Sequence, residues 1–336
     1  MDRRQEILKF VRKGARGIEV APWHNPIVPP DTGYEVVVLD VFDRTVLIER
    51  AEADPAIGKA LATNISEVDL VGSACEVAEL ARARFGDEAQ FDFVVSSHNF
   101  EHLPDPVRFL RGCEALLAPG GVVAMAVPDK RACFDFFRPH SSSGEILQAF
   151  HERRERPTFA QTFNQDANTA RLRVGDTLVG AFSLDNDQAD IVLEGDAVRA
   201  YSTWLDRIEI GDTNYYDTHC WTFTPASMEL ILLELILFGL IDLEIASVSE
   251  AVGCEFYVHL RKRQNDAGVQ HGLREKREML LHRIVDELAQ ASRLARGTGG
   301  GSQRKPQIML SDVLPGPGQR DLLRRIRSRI RRDFGF

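Results

Sequence analysis

Short apolar runs rich in β-branched residues alternate with segments of helical periodicity along the N-terminal part of the chain. The apolar runs predict strands over 17–21, 34–40, 68–71, 91–96 and 122–127. Apolar residues at helical spacing predict helices over 1–13, 75–84 and 105–117. Nearly continuous apolar strands separated by helices are typical of a parallel sheet that is covered on both faces.

The pattern changes after Val127. Residues 128–218 are polar and contain few long apolar runs, so we interpret them as an insertion or lid. A helix is predicted over 224–239, followed by strands over 241–247 and 254–260 that should pair antiparallel across a short turn. The predicted fold is α/β: a Rossmann-like, doubly wound, mostly parallel seven-stranded sheet with an antiparallel C-terminal hairpin.

A helical extension follows this predicted domain of residues 1–264. Residues 265–296 contain a charged helix, and residues 297–319 are rich in Gly and Pro, as in flexible linkers. Residues 320–336 form a basic amphipathic tail, because 319–336 hold seven Arg and two Asp. The stretch Arg320–Arg332 is either a solvated chain end or a contact for an anionic membrane surface or an acidic protein.

Composition narrows the class of protein. The chain has 44% hydrophobic and 27% charged residues, as ordinary globular proteins do. Its net charge is −9 and its positive charge is concentrated in the tail, which argues against nucleic-acid binding by the main domain. The five cysteines are scattered without metal-binding spacing, and the N-terminus has no apolar signal core. We therefore expect a cytoplasmic protein and no metal; no oligomeric state is predicted.

The candidate site follows from the predicted topology. Ligands bind parallel sheets beyond the carboxyl ends of the strands, near the point where strand order reverses. Asp40 ends the second predicted strand, where a carboxylate can accept hydrogen bonds from both hydroxyls of a ribose. Polar residues also follow the other strands, in 19–26, 73–74, 96–102 and 128–131.

Two motifs give a specific resemblance. The run 91–106, which contains Glu101-His102-Leu103-Pro104-Asp105-Pro106, and the run 116–121, which ends in Pro119-Gly120-Gly121, resemble class I S-adenosylmethionine-dependent methyltransferases. Together with 17–26, 127–135 and 217–225, they resemble a bacterial methyltransferase-domain subfamily that is often found beside, or fused to, glycosyltransferases. The resemblance covers roughly residues 14–263.

The resemblance implies S-adenosylmethionine as cofactor and a small molecule or glycan as methyl acceptor. It places Glu19 near the methionine end of the cofactor, Asp40 at the ribose and Ser73 beside the adenine. The cofactor-binding residues that it implies are Glu19, Ala21, Pro22, Asp40, Ser73, Ala74, Ser97 and His98.

Candidate bases for the acceptor proton are His102, His219 and, more weakly, Asp129. Each histidine has a structural alternative: His102 packs under the cofactor loop, and His219 makes a structural hydrogen bond. Glu101 caps or pairs with the following helix, or takes part in catalysis. Candidate substrate-binding residues are Lys130, Arg131, Arg138 and Asp217. Lys130, Arg131 and Arg138, with Asp129, alternatively form a solvated charged loop.

Two departures from the resemblance favour an alternative function. Ala21 and Trp23 occupy positions where glycines are expected, and Ser73 replaces an Asp that would contact the adenine amine. The alternative is a non-catalytic, methyltransferase-like binding module that its basic tail tethers to a partner or membrane. A nicotinamide-dependent dehydrogenase is disfavoured because no Gly-x-Gly-x-x-Gly follows any predicted strand.

Overall fold

The computed structural model describes residues 2–30, 32–55, 57–186, 190–263 and 272–294, together with 321, 324–326, 328 and 329. The predicted linker over 297–319 and most of the predicted tail over 320–336 lie outside the described residues.

The secondary structure alternates as the apolar pattern predicts. The strands are β1 (Arg16–Val20), β2 (Glu35–Asp40), β3 (Leu70–Val71), β4 (Phe91–Ser97), β5 (Leu117–Pro128), β6 (Ala170–Val174), β7 (Thr177–Val179), β8 (Ile191–Leu193), β9 (Leu243–Val248) and β10 (Glu255–Lys262). The α-helices are α1 (Arg3–Ile7), α2 (Arg44–Ala53), α3 (Gly58–Ala62), α4 (Val77–Phe85), α5 (Pro106–Leu116), α6 (Ser143–Glu152), α7 (Phe159–Asn168), α8 (Ala197–Glu209), α9 (Pro225–Leu237) and α10 (Leu273–Leu294).

The main sheet has seven strands in the order β3-β2-β1-β4-β5-β10-β9. Strands β1 to β5 pair in parallel, whereas β10 pairs antiparallel with both β5 and β9. This confirms the predicted doubly wound sheet and its antiparallel C-terminal hairpin. Strand order reverses between β1 and β4, so a ligand cleft is expected beyond the carboxyl ends of these two strands.

Close packing between β1 and β4 explains one glycine in the sheet. A Cβ atom on Gly17 would lie 2.4 Å from the ring of Phe93 on the neighbouring strand. Phe93 is itself fully buried, so the ring cannot move aside without opening the core.

The helices differ from the prediction in three places. The predicted helix over 1–13 is shorter, since α1 spans only Arg3–Ile7. Helices α2 and α3 were not predicted. Between β1 and β2, the described residues contain no helix at all, so an irregular loop makes this parallel crossover.

The insertion over 128–218 is more ordered than its polar composition suggests. It contains α6, α7 and α8 and a separate three-stranded sheet in the order β7-β6-β8. These strands are short and largely exposed: Val174 on β6 and Leu193 on β8 are 55% and 58% exposed. Strands of this kind leave no continuous apolar run in the sequence. Among the described residues, no helix combines the length and the apolarity that crossing a membrane requires.

Candidate functional site

The carboxyl ends of β1 to β4 meet at one edge of the sheet, which we call the carboxyl edge. In the strand register, Val20 lies beside both Leu39 and Ser96, and Asp40 lies beside Val71. The predicted cofactor-binding residues therefore follow neighbouring strands at this one edge.

The first loop, residues 21–28, keeps a glycine-like backbone without glycines. Ala21 and Trp23 have φ angles of 49° and 44°, in the left-handed region that side chains other than glycine adopt at a cost. The Ala21 N–H donates to Leu39 O at 2.8 Å, and the Pro22 carbonyl accepts from Asn25 N at 3.0 Å. The loop thus takes the shape for which glycines are expected.

Glu19 holds the far end of this loop. Its buried carboxylate accepts the backbone N–H groups of Ile27 at 2.5 Å and of Val28 at 3.1 Å. Burial raises the pKa of Glu19 to about 7, although these two donors and the charge of Arg4 act to lower it. Both oxygens of this carboxylate are therefore engaged with the loop itself.

Asp40 and Ser73 also bind nearby backbone groups. Asp40 Oδ1 accepts the Phe42 N–H at 3.1 Å. Burial raises the pKa of this carboxyl, although the N–H groups of Phe42 and Val41 act to lower it. Ser73 Oγ accepts the Cys75 N–H at 3.3 Å, which caps the short 3₁₀ turn that begins at Ala74. The side chain of Ala74 is buried.

Ser97 and His98 contact the start of β10. His98 Nε2 lies 2.8 Å from Glu255 Oε2, and Ser97 Oγ accepts from Arg3 Nη2 at 2.6 Å. Arg3 also donates to both oxygens of Glu255. Burial acts to raise the pKa of Glu255, but His98 and Arg3 outweigh it and lower that pKa to about 2. Arg3 and Glu255 were not predicted as site residues, and 252 positions of sequence separate them.

A second group of polar residues surrounds Glu101, which lies in a 3₁₀ turn just after β4. The carboxylate is fully buried, and neither of its oxygens has a hydrogen-bond partner in the described parts of the chain. Its Oε1 lies 3.8 Å from each of three ring nitrogens: Nδ1 of His98, Nε2 of His102 and Nε2 of His219. We call Glu101, His102 and His219 the Glu101 cluster.

Carboxylates hold the opposite side of both cluster histidines. His219 Nδ1 lies 2.5 Å from Asp135 Oδ2, and His102 Nδ1 lies 2.8 Å from Asp217 Oδ1. Burial lowers the pKa of His102, but Asp217 and Glu101 outweigh it and raise that pKa above its ordinary value. Burial acts to raise the pKa of Asp135, but His219 and Arg138 outweigh it and lower that pKa below its ordinary value. The two rings meet edge to face, with 4.6 Å between their centroids.

The charged residues after β5 bind groups inside the protein. Buried Asp129 forms a two-pronged ion pair with buried Arg131, in which Arg131 Nη2 lies 2.5 Å from Asp129 Oδ2. Lys130 Nζ donates to Phe136 O at 3.0 Å, and burial lowers the pKa of Lys130. Arg138 donates to Asp135 at 2.5 Å and to His219 O at 2.8 Å.

Of the predicted substrate-binding residues, Arg138 supports the cluster, Lys130 and Arg131 bind other groups inside the protein, and Asp217 is exposed. Lys130, Arg131 and Arg138 are each at most 5% exposed, so they do not form a solvated loop. Of the predicted bases, His102 and His219 contact each other, whereas both carboxylate oxygens of Asp129 are bound by Arg131. Their roles toward an acceptor stay predictions. Sequence reasoning missed Asp135, although it lies in the stretch that carried the resemblance.

A cavity of about 420 Å³ lies beside the first loop, between residues 24–30 and residues 63–66, with Arg4 also in its wall. Neither Asp40 nor any residue of the Glu101 cluster lines it. We therefore take the convergence of polar side chains, and not this cavity, as the mark of the site.

One described residue of the basic tail, Arg329, binds the insertion. Ile326 is buried, and Arg329 donates to Asp206 Oδ1 at 2.6 Å and to Leu205 O at 3.2 Å. Arg329 also forms an ion pair with Glu209 at the end of α8. A contact of the tail with a membrane or an acidic protein stays a prediction.

Comparison with known proteins identifies part of the chain. A family model described as a methyltransferase domain matches residues 30–125. A ubiquinone biosynthesis O-methyltransferase from Acinetobacter baumannii (strain ACICU) is 34% identical over 76 residues, which are 23% of this chain and 31% of that protein. The chain thus covers about a third of the length of the curated relative that it matches.

Two solved structures are similar at low sequence identity. A SAM-dependent methyltransferase from Methanosarcina mazei is 15% identical, with a TM-score of 0.37, and the match covers 79% of this chain and 100% of that one. The CcbJ methyltransferase from Streptomyces caelestis is 14% identical, with a TM-score of 0.39, and the match covers 78% of this chain and 97% of that one. At such scores, neither likeness bears on the site.

Residues 30–125 thus match a methyltransferase domain, and the sheet order is that of a Rossmann-like methyltransferase fold. S-adenosylmethionine is the cofactor that this domain implies. The matched range begins after β1 and the first loop, so Glu19, Ala21 and Pro22 lie outside it.

The carboxyl edge fits such a cofactor. Ser96 Oγ and Asn99 Oδ1 are buried there without a hydrogen-bond partner among the described residues. His98 between them has a φ of 49°, which turns the chain sharply at the end of β4. Buried polar atoms are normally satisfied, so these two atoms are suited to a polar ligand.

Proposed function

We propose that this domain transfers a methyl group from S-adenosylmethionine to an oxygen or nitrogen of a small molecule or sugar. The observation that carries the proposal is the Glu101 cluster, which lies directly beyond β4 at the expected ligand edge. Two imidazoles there present their Nε2 atoms to a common point, and both are held from behind by carboxylates.

Residues at the carboxyl edge would hold the cofactor. Asp40 would accept the ribose hydroxyls, Ala74 would border the adenine, and the first loop would surround the methionine end. When bound, S-adenosylmethionine supplies an electrophilic methyl group on a sulfonium. What the protein must add is alignment of the acceptor and removal of one proton.

The cluster histidines are placed for the proton. A carboxylate beside Nδ1 favours the tautomer with its proton on Nδ1, which leaves a basic lone pair on Nε2. As the acceptor oxygen or nitrogen forms its bond to the methyl carbon, the carbon–sulfur bond breaks and the acceptor proton moves to His102 or His219. Asp217 and Asp135 stabilise the imidazolium that results.

The insertion supports the acceptor side of this proposal. Asp135 and Arg138 reach the cluster from the start of the insertion, and His219 follows its end. Its helices would form a wall that excludes water from the transfer. The sugar class of acceptor rests on the resemblance to proteins found beside glycosyltransferases, which is an analogy.

The shape of the first loop weighs against the alternative of a non-catalytic binding module. The positive φ angles of Ala21 and Trp23 put a backbone cost on the loop that would surround the cofactor. A domain that had lost catalysis would no longer need that loop shape, yet the shape is retained here. This favours the enzyme.

Calorimetry separates these candidates. We expect saturable binding of S-adenosylmethionine and S-adenosylhomocysteine. With S-adenosylmethionine bound, we expect S-adenosylhomocysteine to form as a product when a panel of sugar nucleotides and small hydroxyl or amine compounds is supplied. Binding without turnover across such a panel would favour the module. Absence of binding even at millimolar ligand would remove the methyltransferase function.

A further inference from the structure

Three acceptor groups face one another at the Glu101 cluster. Asp135 lies at hydrogen-bond distance from Nδ1 of His219 and favours the proton of that ring on Nδ1. Asp217 lies 2.8 Å from Nδ1 of His102, outside hydrogen-bond geometry, and favours the same tautomer through its charge. Both Nε2 lone pairs then point toward the Glu101 carboxylate at 3.8 Å. No donor from the described residues satisfies that carboxylate, although a buried charge without a partner is costly. A cation held between the three groups would satisfy this carboxylate.

We propose that the cluster binds one divalent transition-metal ion of the zinc class. The ligands are Glu101 and the Nε2 atoms of His102 and His219, whose donor atoms all lie within 4.8 Å of one another. Two imidazoles and one carboxylate are a donor set of catalytic zinc sites, which keep a further position open.

Two of the three ligand separations need only a small adjustment, whereas the third, between the two Nε2 atoms, is up to 4.8 Å. Zinc bonds of about 2.0–2.1 Å in tetrahedral geometry put ligand atoms ~3.4 Å apart. The 3.8 Å separations between Glu101 Oε1 and each Nε2 atom would therefore shorten by a few tenths of an ångström. The two Nε2 atoms would have to approach each other by up to about 1.4 Å, which requires rotation of both rings toward the ion.

The surroundings have the two features that a metal site requires. Each ligand histidine has a carboxylate on its other nitrogen, an arrangement that fixes the ring and strengthens the ligand. Arg138 in turn pairs with Asp135 and so holds it in place. Access exists as well, because the side chain of His102 is 22% exposed while that of Glu101 is fully buried.

The consequence for chemistry rests on the proposed function. An acceptor oxygen in the open position would bind the ion, which lowers the pKa of a bound hydroxyl and makes the oxygen nucleophilic near neutral pH. In the metal-loaded protein, the two imidazoles serve as ligands, and the acceptor proton leaves to solvent. Binding of the ion itself needs neither cofactor nor acceptor.

The test is metal binding by the full chain after treatment with a chelator. We expect calorimetry to give one saturable Zn²⁺ site, and Co²⁺ to give the visible absorption of a site with imidazole ligands. Mg²⁺ should bind far more weakly, since it prefers oxygen ligands. Glu101→Gln and His219→Asn should each weaken Zn²⁺ binding by more than about 100-fold. Loss of a direct ligand should cost more affinity than loss of a residue that only hydrogen-bonds to a ligand.

Two further variants keep the test interpretable if a buried substitution impairs folding. Asp217 is 80% exposed, so Asp217→Asn should fold normally and weaken Zn²⁺ binding by roughly 10-fold through His102. His151→Asn removes an exposed histidine of α6 and should leave Zn²⁺ affinity unchanged.

Lack of a saturable Zn²⁺ site in the parent chain overturns the proposal, as does equal Zn²⁺ affinity in Glu101→Gln and the parent. If the chain transfers methyl groups but has no metal site, the metal proposal is wrong and the proposed function is retained. A chain that binds Zn²⁺ at the cluster but not S-adenosylhomocysteine would keep the metal site and remove the methyltransferase function.

Discussion

The carboxyl edge of β1 to β3 and the Glu101 cluster differ in how their polar groups are satisfied. At the edge, Glu19, Asp40 and Ser73 each accept a backbone N–H from within nine residues of chain, so their positions are locally determined. In the cluster, Glu101 and His219 approach across more than a hundred residues, and the carboxylate has no donor from the described chain. Local satisfaction builds a rigid frame, whereas unsatisfied groups mark where a ligand or ion acts.

The largest expected effect comes from breaking the cluster. His219→Asn should lower the rate of methyl transfer by about 100-fold or more, because it removes one of the two candidate bases or one metal ligand. Affinity for S-adenosylhomocysteine should change little, because the cofactor binds at the other region. Single-turnover kinetics and calorimetry measure the two quantities. An equal loss in both would mean that the two regions are not separable.

Acid should break the contact that His98, a neighbour of the Glu101 cluster, makes with Glu255 on β10. The pKa of Glu255 is about 2 in the folded protein and 4.5 ordinarily. A lowered carboxyl pKa contributes stability above the ordinary value and loses it as pH falls through the folded value. We expect the free energy of unfolding to drop by about 2–3 kcal/mol between about pH 5 and pH 2.5.

Urea unfolding of the parent and of Glu255→Gln measures this loss. The variant should be less stable near neutral pH and should lose less stability across the same acid range. If both proteins show the same acid dependence, Glu255 is not responsible for it.

How much of each region the sequence predicts follows from the range of its contacts. The strand ends are predictable because apolar runs mark β1, β2, β4 and β5, and the parallel order then places Asp40 at the cleft. His102 and His219 are predictable as candidates, but their meeting at Glu101 is not, because only tertiary packing brings His219 to Glu101 and Asp135 to the far side of that ring. Arg3 and Glu255 carry no local signal for the same reason.

The first loop shows a different limit of sequence reasoning. Glycines are expected at Ala21 and Trp23 because the backbone there needs positive φ, and the backbone has that shape without them. The other end of the loop is held by the carboxylate of Glu19, which accepts the N–H groups of Ile27 and Val28. A side chain at the end of β1 thus fixes part of the loop through hydrogen bonds.

Asp40→Ala sharpens the comparison at the cofactor side. We expect it to weaken S-adenosylhomocysteine binding by about 1–3 kcal/mol, because a charged acceptor for hydroxyl groups is lost. Zn²⁺ affinity at the cluster should stay the same. Calorimetry with each ligand tests both statements, and an unchanged cofactor affinity would mean that Asp40 does not face the ribose.

The smallest expected effect concerns the backbone cost in the first loop. Ala21→Gly should raise the free energy of unfolding by about 0.5–1 kcal/mol, because glycine adopts positive φ without the clash of a Cβ atom, and this outweighs its greater freedom when unfolded. Ala53→Gly, at an exposed position of helix α2, should lower stability by a similar amount. The opposite signs isolate backbone conformation from the loss of a methyl group, and urea unfolding of both variants measures them. If both variants lost the same amount of stability, the backbone at Ala21 would not have positive φ in solution. The carboxyl edge would then be less rigid than the structure indicates.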